Sequence, residues 1–294
     1  MKINIYYWNN GVGVLTDSIL FKTILSDFDV IVYDVSKNNQ YRESDIGIFI
    51  QNIWVDYLNH NKKNVYIIHE EWLNPDEISY LNQFDLLIVK SNHAKQLLSS
   101  YHKNIINVGS CILTKKLEPT VTGNILHFKG KSIQKNHELS FKYQRKYNIN
   151  VVDSETKYLS ESEVIHNLNN HDIHICCSLY EAWGHYAWEA MSCGKLVICS
   201  EIPVFKEFLD PELVKFIPIY YTSQYDPEYR FLNNKNYKFR TGYFVDETIF
   251  QQVLDEKDKL LEFQQKNSDN IIKFVKNVMD INKTKFIDVI KNII

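Results

Sequence analysis

Glu181-Ala182-Trp183-Gly184-His185-Tyr186-Ala187-Trp188-Glu189-Ala190-Met191 is the stretch on which the reading of this chain turns. It follows a short apolar run, residues 173–177, and opens a helical pattern. Gly184 permits a tight turn and a close approach of a ligand to the backbone. The amides of His185, Tyr186 and Ala187 are expected to point unpaired from the helix N-terminus, a good place for a diphosphate. Glu189 falls one turn in, on the face of His185. There its carboxylate can accept hydrogen bonds from two neighbouring hydroxyls. Glu181 precedes the turn and can reach hydroxyls of the same ligand. Two glutamates near a helix start also have a purely structural use, because carboxylates suit the positive end of a helix. The strand–turn–helix setting with glycine in the middle favours a binding site.

Working outward, short apolar runs alternate with amphipathic stretches along the 294 residues. Residues 3–7, 30–33, 46–50, 65–69 and 86–89 have the length and β-branched content of buried parallel strands. Helical patterns lie between several of them, at 16–26 and at 92–101, where Asn92 is a candidate cap. The run 114–123 is polar, carries Pro119 and Gly123, and reads as a linker. A second alternation follows, with strands at 125–128, 149–152, 173–177 and 196–199 and helices at 137–147, 161–168 and 186–193. The pattern predicts an α/β chain of two Rossmann-like domains, residues 1–113 and 124–294. Residues 220–240, rich in Tyr and Asn, read as a surface excursion. From 247 onward the spacing of Ile271, Phe274, Val275 and Val278 is helical.

Composition narrows the functional classes. Hydrophobic residues make up 45% and charged residues 23%, with a formal net charge of −3, so no broad basic surface speaks for nucleic acid. No run approaches the ~18 apolar residues of a membrane span, and residues 1–7 read as a first strand and not as a signal peptide. The five cysteines form no C-x-x-C pair. Free thiols in a reducing cytoplasmic setting are the expectation.

Three further loops follow strands, the end at which open α/β sheets bind ligands. Phe128-Lys129-Gly130-Lys131-Ser132-Ile133-Gln134-Lys135-Asn136 combines a glycine with lysines that can bracket a diphosphate as point charges; a solvated basic loop is the plain alternative. Trp8-Asn9-Asn10-Gly11-Val12-Gly13-Val14 carries Gly11 and Gly13, but Thr16 stands where a dinucleotide fingerprint needs a third glycine. That weakens a dehydrogenase reading, and a simple turn is the alternative. His69-Glu70-Glu71-Trp72 offers His69 and Glu71 at a strand end; a lone histidine there is more often a structural hydrogen-bonder.

On these residues the chain resembles the retaining GT-B glycosyltransferases, the superfamily of glycogen and sucrose synthases and many lipopolysaccharide mannosyltransferases. The match is the E-x7-E signature, Glu181 and Glu189, running on through Glu189-Ala190-Met191-Ser192-Cys193-Gly194, with Pro203 and Glu207 downstream. The loop at 130–135 is similar to the family's basic element, with Lys131 in place of Arg. Ala182 departs from the family's usual Gly, where a methyl group would narrow the sugar pocket.

The resemblance implies two Rossmann-like domains facing each other across a cleft, which closes over the substrates. It implies transfer of a sugar from a nucleoside-diphosphate sugar to a hydroxyl acceptor, a glycan, lipid or protein-linked sugar, with retention and without metal or other cofactor. Glu189 would hold the ribose and Glu181 the donor sugar. Lys131 and Lys135 would neutralise the leaving diphosphate with the Gly130 turn and the Gly184, His185, Tyr186 and Ala187 backbone. His69 would face the donor sugar, and Gly11 and Gly13 the diphosphate and acceptor. The C-terminal helix would cross back to the first domain. A partner-binding or peripheral membrane role for it is the alternative, though its lysines make no clean basic face. A non-catalytic nucleotide- or glycan-binding subunit is the competing reading. Asp27-Phe28-Asp29 spells D-x-D but precedes a strand, the wrong end for a metal-bound substrate. His171 and His174 lack the partners of a zinc site.

Overall fold

The computed structural model describes residues 1–9, 13–37, 41–112, 122–130, 133–153, 159–220 and 244–293. The chain divides into two compact units, one built on Met1–Cys111 and Met279–Ile294, the other on Ile112–Lys235 and Thr241–Val278.

In the first unit the β-branched runs form strands β1 (Lys2–Tyr7), β2 (Asp29–Asp34), β3 (Ser44–Ile50), β4 (Asn61–Ile67), β5 (Leu86–Val89) and β6 (Ile105–Asn107). Helices α1 (Gly13–Ile24) and α2 (Asn92–Leu98) pack beside them, and 3₁₀ turns fill other connections. The strands pair in parallel in the order β2-β1-β3-β4-β5-β6. β5 is buried throughout, whereas β2 alternates at the sheet edge, as strand burial predicts. Many of the aromatic residues are core: Tyr6 stacks on Tyr33, Phe49 and Tyr57 with ring centroids 5.6, 4.7 and 5.6 Å away.

In the second unit β7 (Ile125–Phe128), β8 (Ile149–Val152), β9 (Ile173–Cys176), β10 (Leu196–Ser200) and β11 (Lys215–Ile217) form a parallel sheet in the order β11-β10-β9-β7-β8. It carries α3 (His137–Tyr147), α4 (Glu161–Asn169), α5 (His185–Ser192), α6 (Pro203–Phe208) and α7 (Glu247–Asp255). A short antiparallel pair, β12 (Ile219–Tyr220) and β13 (Phe244–Val245), stands apart. Ile125, Ile173, Ile175, Leu196, Ile198 and Phe250 centre the core.

The last helix, α8 (Lys257–Lys291), divides between the units. Ile271 and Val275 are buried in the second. In the first, Phe286 stacks on Phe21 at 4.9 Å, and buried Asn282 donates from Nδ2 to the Ser110 carbonyl at 2.7 Å. That contact needs a bare backbone at Gly109, whose φ is +67° and where a Cβ would meet Asn282 Nδ2 at 2.4 Å.

Sequence and structure differ at several borders. Ser91, not Asn92, caps α2, its Oγ accepting from the Ala94 amide at 3.0 Å. β4 ends at Ile67, so His69 precedes a 3₁₀ turn, Glu70–Trp72, and does not close a strand. β6 and β11, three residues each, were not expected. Most of the expected linker (113–121) and excursion (221–243) lies outside the described residues; Tyr220 itself belongs to β12.

Both sheets change winding direction once. In the first unit β1 leads to β2 on one side and the chain then returns to β3 on the other. In the second, β7 leads to β8 and the chain returns to β9. Strand loops diverge at such points and leave a crevice at the carboxyl ends.

Candidate functional site

The crevice of the second unit lies at the β7/β9 divide. Its wall is formed by His127 and Phe128 of β7, Ile175 and Cys176 of β9, and Ser178, Glu181, Gly184, Tyr186, Ala187, Lys135 and Phe205 from the loops and helices that follow. The quoted sequence stretch therefore folds onto the loop that carries the second motif.

Backbone bonds make this happen. The Leu179 amide donates to the Gln134 carbonyl at 2.7 Å, tying the loop after β9 to the 3₁₀ turn Ile133–Lys135. Lys135 Nζ then donates to Glu181 Oε1, and Ser178 Oγ donates to the same oxygen at 2.7 Å. Glu181 is 8% exposed, so this carboxylate is held with little water around it. Gly130 closes the β7 loop with φ +64°.

Gly184 caps α5 in the left-handed region, φ 78° and ψ 55°, and no side chain caps the helix. A Cβ there would meet Phe205 Cε1 at 2.3 Å, so the position excludes a side chain on both counts. The Ala187 amide is not unpaired as expected, since it donates to the Gly184 carbonyl at 3.0 Å. The first turn tightens and leaves the His185 and Tyr186 amides at the positive end of the helix. Tyr186 is anchored by its hydroxyl, which donates to the Leu126 carbonyl at 3.2 Å and lies 3.0 Å from His174 Nδ1.

Glu189 is half-buried on α5 and outside the pocket wall. It still faces the same strand end. The Cys176 thiol is pushed well up, first by burial, then by Cys177 and by Glu181 and Glu189, with Lys135 pulling it down. One buried sulfur thus senses Lys135, Glu181 and Glu189 together. Ala182 is buried and does not line the pocket, so the narrowing expected from its methyl group has no direct expression in the wall.

His127 was missed by sequence reading, because it looks like any residue of an apolar strand. It is 2% exposed, and its Nδ1 lies 3.1 Å from the Ile175 carbonyl, a contact that needs the proton on Nδ1. Its pKa is drawn down to about 4, by burial first and then by His137 and Lys135, against the pull of the Ile175 carbonyl. The ring is neutral near pH 7, and Nε2 is a bare acceptor with no partner among the described residues.

The other sequence candidates fall as follows. Lys131 and Gly11 lie outside the described residues. Gly13 begins α1 with nothing within 4 Å of an added Cβ and no positive φ, so sterics do not require glycine there. His69 sits in the first unit: Nδ1 is 3.1 Å from Gln51 Oε1, and Nε2 lies at ion-pair distance, 2.9 Å, from Asp17 Oδ2 without hydrogen-bond geometry. Lys90 Nζ donates to the same Asp17 oxygen at 2.8 Å. Asp17 and Lys90 are 0% and 2% exposed. No sequence motif flags this buried cluster, since its members come from a helix and three separate strand ends. Glu71 is buried beside it in sequence, at 5% exposure. Asp27 is exposed, and Asp29 pairs with Arg42 at 2.7 Å, at the amino end of β2. His171 and His174 serve structure, with Nδ1 of His171 2.7 Å from the Asn167 carbonyl and Nε2 of His174 3.1 Å from that of His171. The five cysteines are buried and none forms a disulfide. No described helix is long and apolar enough to cross a membrane.

Residues 102–217 match the family model described as glycosyl transferases group 1. No curated protein matches the chain. Among solved structures, sucrose-phosphate synthase from Thermosynechococcus elongatus aligns over 99% of this chain and 98% of its own, with TM-score 0.64 and 11% identity. Anabaena HepE, in complex with UDP and glucose, aligns over 99% and 100%, with TM-score 0.63 and 13% identity. The pneumococcal O-GlcNAc transferase GtfA, in complex with UDP and GlcNAc, aligns over 86% of this chain and 57% of its own, with TM-score 0.55 and 12% identity. Taken with the two singly reversed parallel sheets, these matches show a fold shared with the GT-B glycosyltransferases, and residues 102–217 match the group 1 glycosyl transferase model.

Proposed function

We propose that the chain transfers a sugar from a nucleoside-diphosphate sugar to a hydroxyl acceptor, with retention of anomeric configuration and without a metal ion. The observation that carries this reading is the meeting of Lys135 and Glu181 at the β7/β9 crevice, beside the uncapped start of α5. A cation and a helix N-terminus suit a diphosphate. A carboxylate beside them suits the hydroxyls of the attached sugar. UDP and UDP-derived sugars recur with the structural neighbours, which favours the same class of donor.

In the reaction the acceptor oxygen bonds to the anomeric carbon as that carbon's bond to the β-phosphate oxygen breaks. The electron pair leaves on the diphosphate, and the acceptor proton leaves with it. Lys135, Lys131 and the His185 and Tyr186 amides stabilise the growing phosphate charge, the task a divalent cation performs elsewhere. Glu189 accepts from the ribose hydroxyls, and Glu181 orients the sugar. His127 Nε2 offers one more acceptor to a donor hydroxyl. His69, whose Nδ1 is held by Gln51, acts through its neighbours.

The test is a thermal-shift and calorimetric screen of the full chain with UDP, GDP, ADP and their glucosyl sugars, with EDTA present. A rise in Tm with one nucleotide family is expected by linkage. No shift with any of them would sink the donor assignment. Proton NMR of the product's anomeric centre tests retention.

A further inference from the structure

We infer that Ser178 is a positioning residue for the proposed transfer: its hydroxyl keeps the Glu181 carboxylate in place when a diphosphate draws Lys135 away, and so reserves Glu181 Oε2 for the donor sugar. The inference rests on the nucleoside-diphosphate-sugar reading of the β7/β9 crevice.

The two oxygens of Glu181 are unlike. Oε1 accepts from Lys135 Nζ and, at 2.7 Å, from Ser178 Oγ. Oε2 makes no hydrogen bond among the described residues, on a side chain that lines the crevice. A carboxylate can only accept, so the single proton of the Ser178 hydroxyl is committed to Oε1. The two donors also differ in how firmly they stay. Lys135 ends a flexible stem, its side chain is 28% exposed, and its ammonium is drawn to phosphate. Ser178 is short and buried and cannot follow a ligand.

The ends of neighbouring strands hold Ser178 itself. Its amide donates to the Cys176 carbonyl, at the end of β9, at 2.8 Å. Its carbonyl accepts from Ser200 Oγ, at the end of β10, where Ser200 is fully buried. The next amide, that of Leu179, reaches the Gln134 carbonyl in the turn after β7. With the backbone fixed on these sides, one side-chain torsion places the Ser178 oxygen. The longer Glu181 side chain depends on its partners to be placed at all.

Serine and glutamate three residues apart commonly form a capping box at a helix start. That use is closed here, because α5 begins at His185 behind Gly184, well past both residues, and no side chain caps it. What the Ser178 bond fixes is the carboxylate. If Lys135 were its one partner, Glu181 would regain its rotamer freedom as the diphosphate arrived, and the sugar would have to order it again. Ser178 keeps that ordering in place before the sugar binds.

The experiment is titration calorimetry of the full chain with UDP and UDP-glucose, GDP and GDP-mannose, and ADP and ADP-glucose, on wild type, Ser178→Ala and Ser178→Thr. The readout is the ratio of nucleotide-sugar affinity to nucleotide affinity, because the diphosphate is common to both members of a pair. Ser178→Ala is expected to leave nucleotide affinity within about twofold and to weaken the nucleotide sugar several-fold, as loss of one hydrogen bond to a charged group predicts. Ser178→Thr, which keeps the hydroxyl, is expected to stay close to wild type. Far-UV circular dichroism checks folding, and Ser178→Cys, whose thiol donates only weakly, gives the same reading should the alanine variant fail to fold. Equal weakening of both ligands marks a merely structural role and overturns the inference, as does an unchanged ratio. In either case binding of a pair to wild type leaves the donor reading standing. If no pair binds wild type, the donor reading falls and the inference falls with it.

Discussion

Lys135 and Glu181, 46 residues apart in the chain, meet on a single oxygen, Glu181 Oε1, which Ser178 also reaches. The crevice thus satisfies its cation with its own carboxylate. A bound diphosphate has to draw Lys135 away from Glu181 and leave that carboxylate for sugar hydroxyls. Lys135→Ala is expected to weaken nucleoside-diphosphate binding about tenfold, near 1.4 kcal/mol, and to lower turnover by roughly 10²-fold or more. Glu181→Gln is expected to leave nucleotide affinity within a few-fold and to depress turnover. Calorimetry with the nucleotide alone separates the two, and equal losses of nucleotide binding in both variants would contradict the division of labour.

Two glycines from the sequence motifs part company. Gly184→Ala forces a side chain into the left-handed region and against Phe205, and is expected to destabilise by about 2–4 kcal/mol, with Tm falling accordingly. Gly13→Ala meets nothing, sits at a helix start, and is expected to be neutral or stabilising by up to about 1 kcal/mol. Urea unfolding of the two variants checks both. A neutral Gly184→Ala would mean that the α5 turn differs from the one described.

Acid is expected to weaken the second unit. Burial lowers His127 to about 4 and His174 to about 3. In the unfolded chain each histidine takes a proton near pH 6.5, so stability is complete above that pH and is lost as pH falls toward the folded values. Between pH 7.5 and pH 5 each contributes a loss of about 2 kcal/mol. Asp172 acts at lower pH. Burial works against its charge, but the Gly123 and Thr122 amides and Lys195 outweigh it and hold its pKa down, so its contribution is lost only as pH falls through the carboxylate range. Denaturation curves at pH 7.5 and 5 test the histidine part, and His174→Gln should flatten the slope.

The end of α8 is predicted to be structural in the first unit. Phe286, 2% exposed against Phe21, should cost about 3–5 kcal/mol when replaced by alanine. Asn282→Ala leaves the Ser110 carbonyl without its donor and should cost about 1–3 kcal/mol. An unchanged Tm for Phe286→Ala would show that this part of the helix does not pack as described.

Much of the fold was legible because its strands are buried on both faces. Runs such as Ile125–Phe128 and Leu86–Val89 read as strands from composition alone. Three-residue strands such as Ile105–Asn107 carry no period to detect. Ser91 and Asn92 are both good caps, and only geometry chooses between them. In the site, Glu181, Gly184 and Lys135 were legible because local motifs hold them. His127, and the set of Asp17, Gln51 and Lys90 around His69, were not. They gain meaning from neighbours far along the chain, and as single letters they match ordinary strand, helix and loop residues.

The recurrence of one winding in both sheets bears on how such a protein can diversify. The residues at the β1/β3 divide and those at the β7/β9 divide lie on separate loops of separate units. A change at Trp8 or Gln51 need not pass through Lys135 or Gly184. A substitution at one divide therefore leaves the loops of the other unaltered.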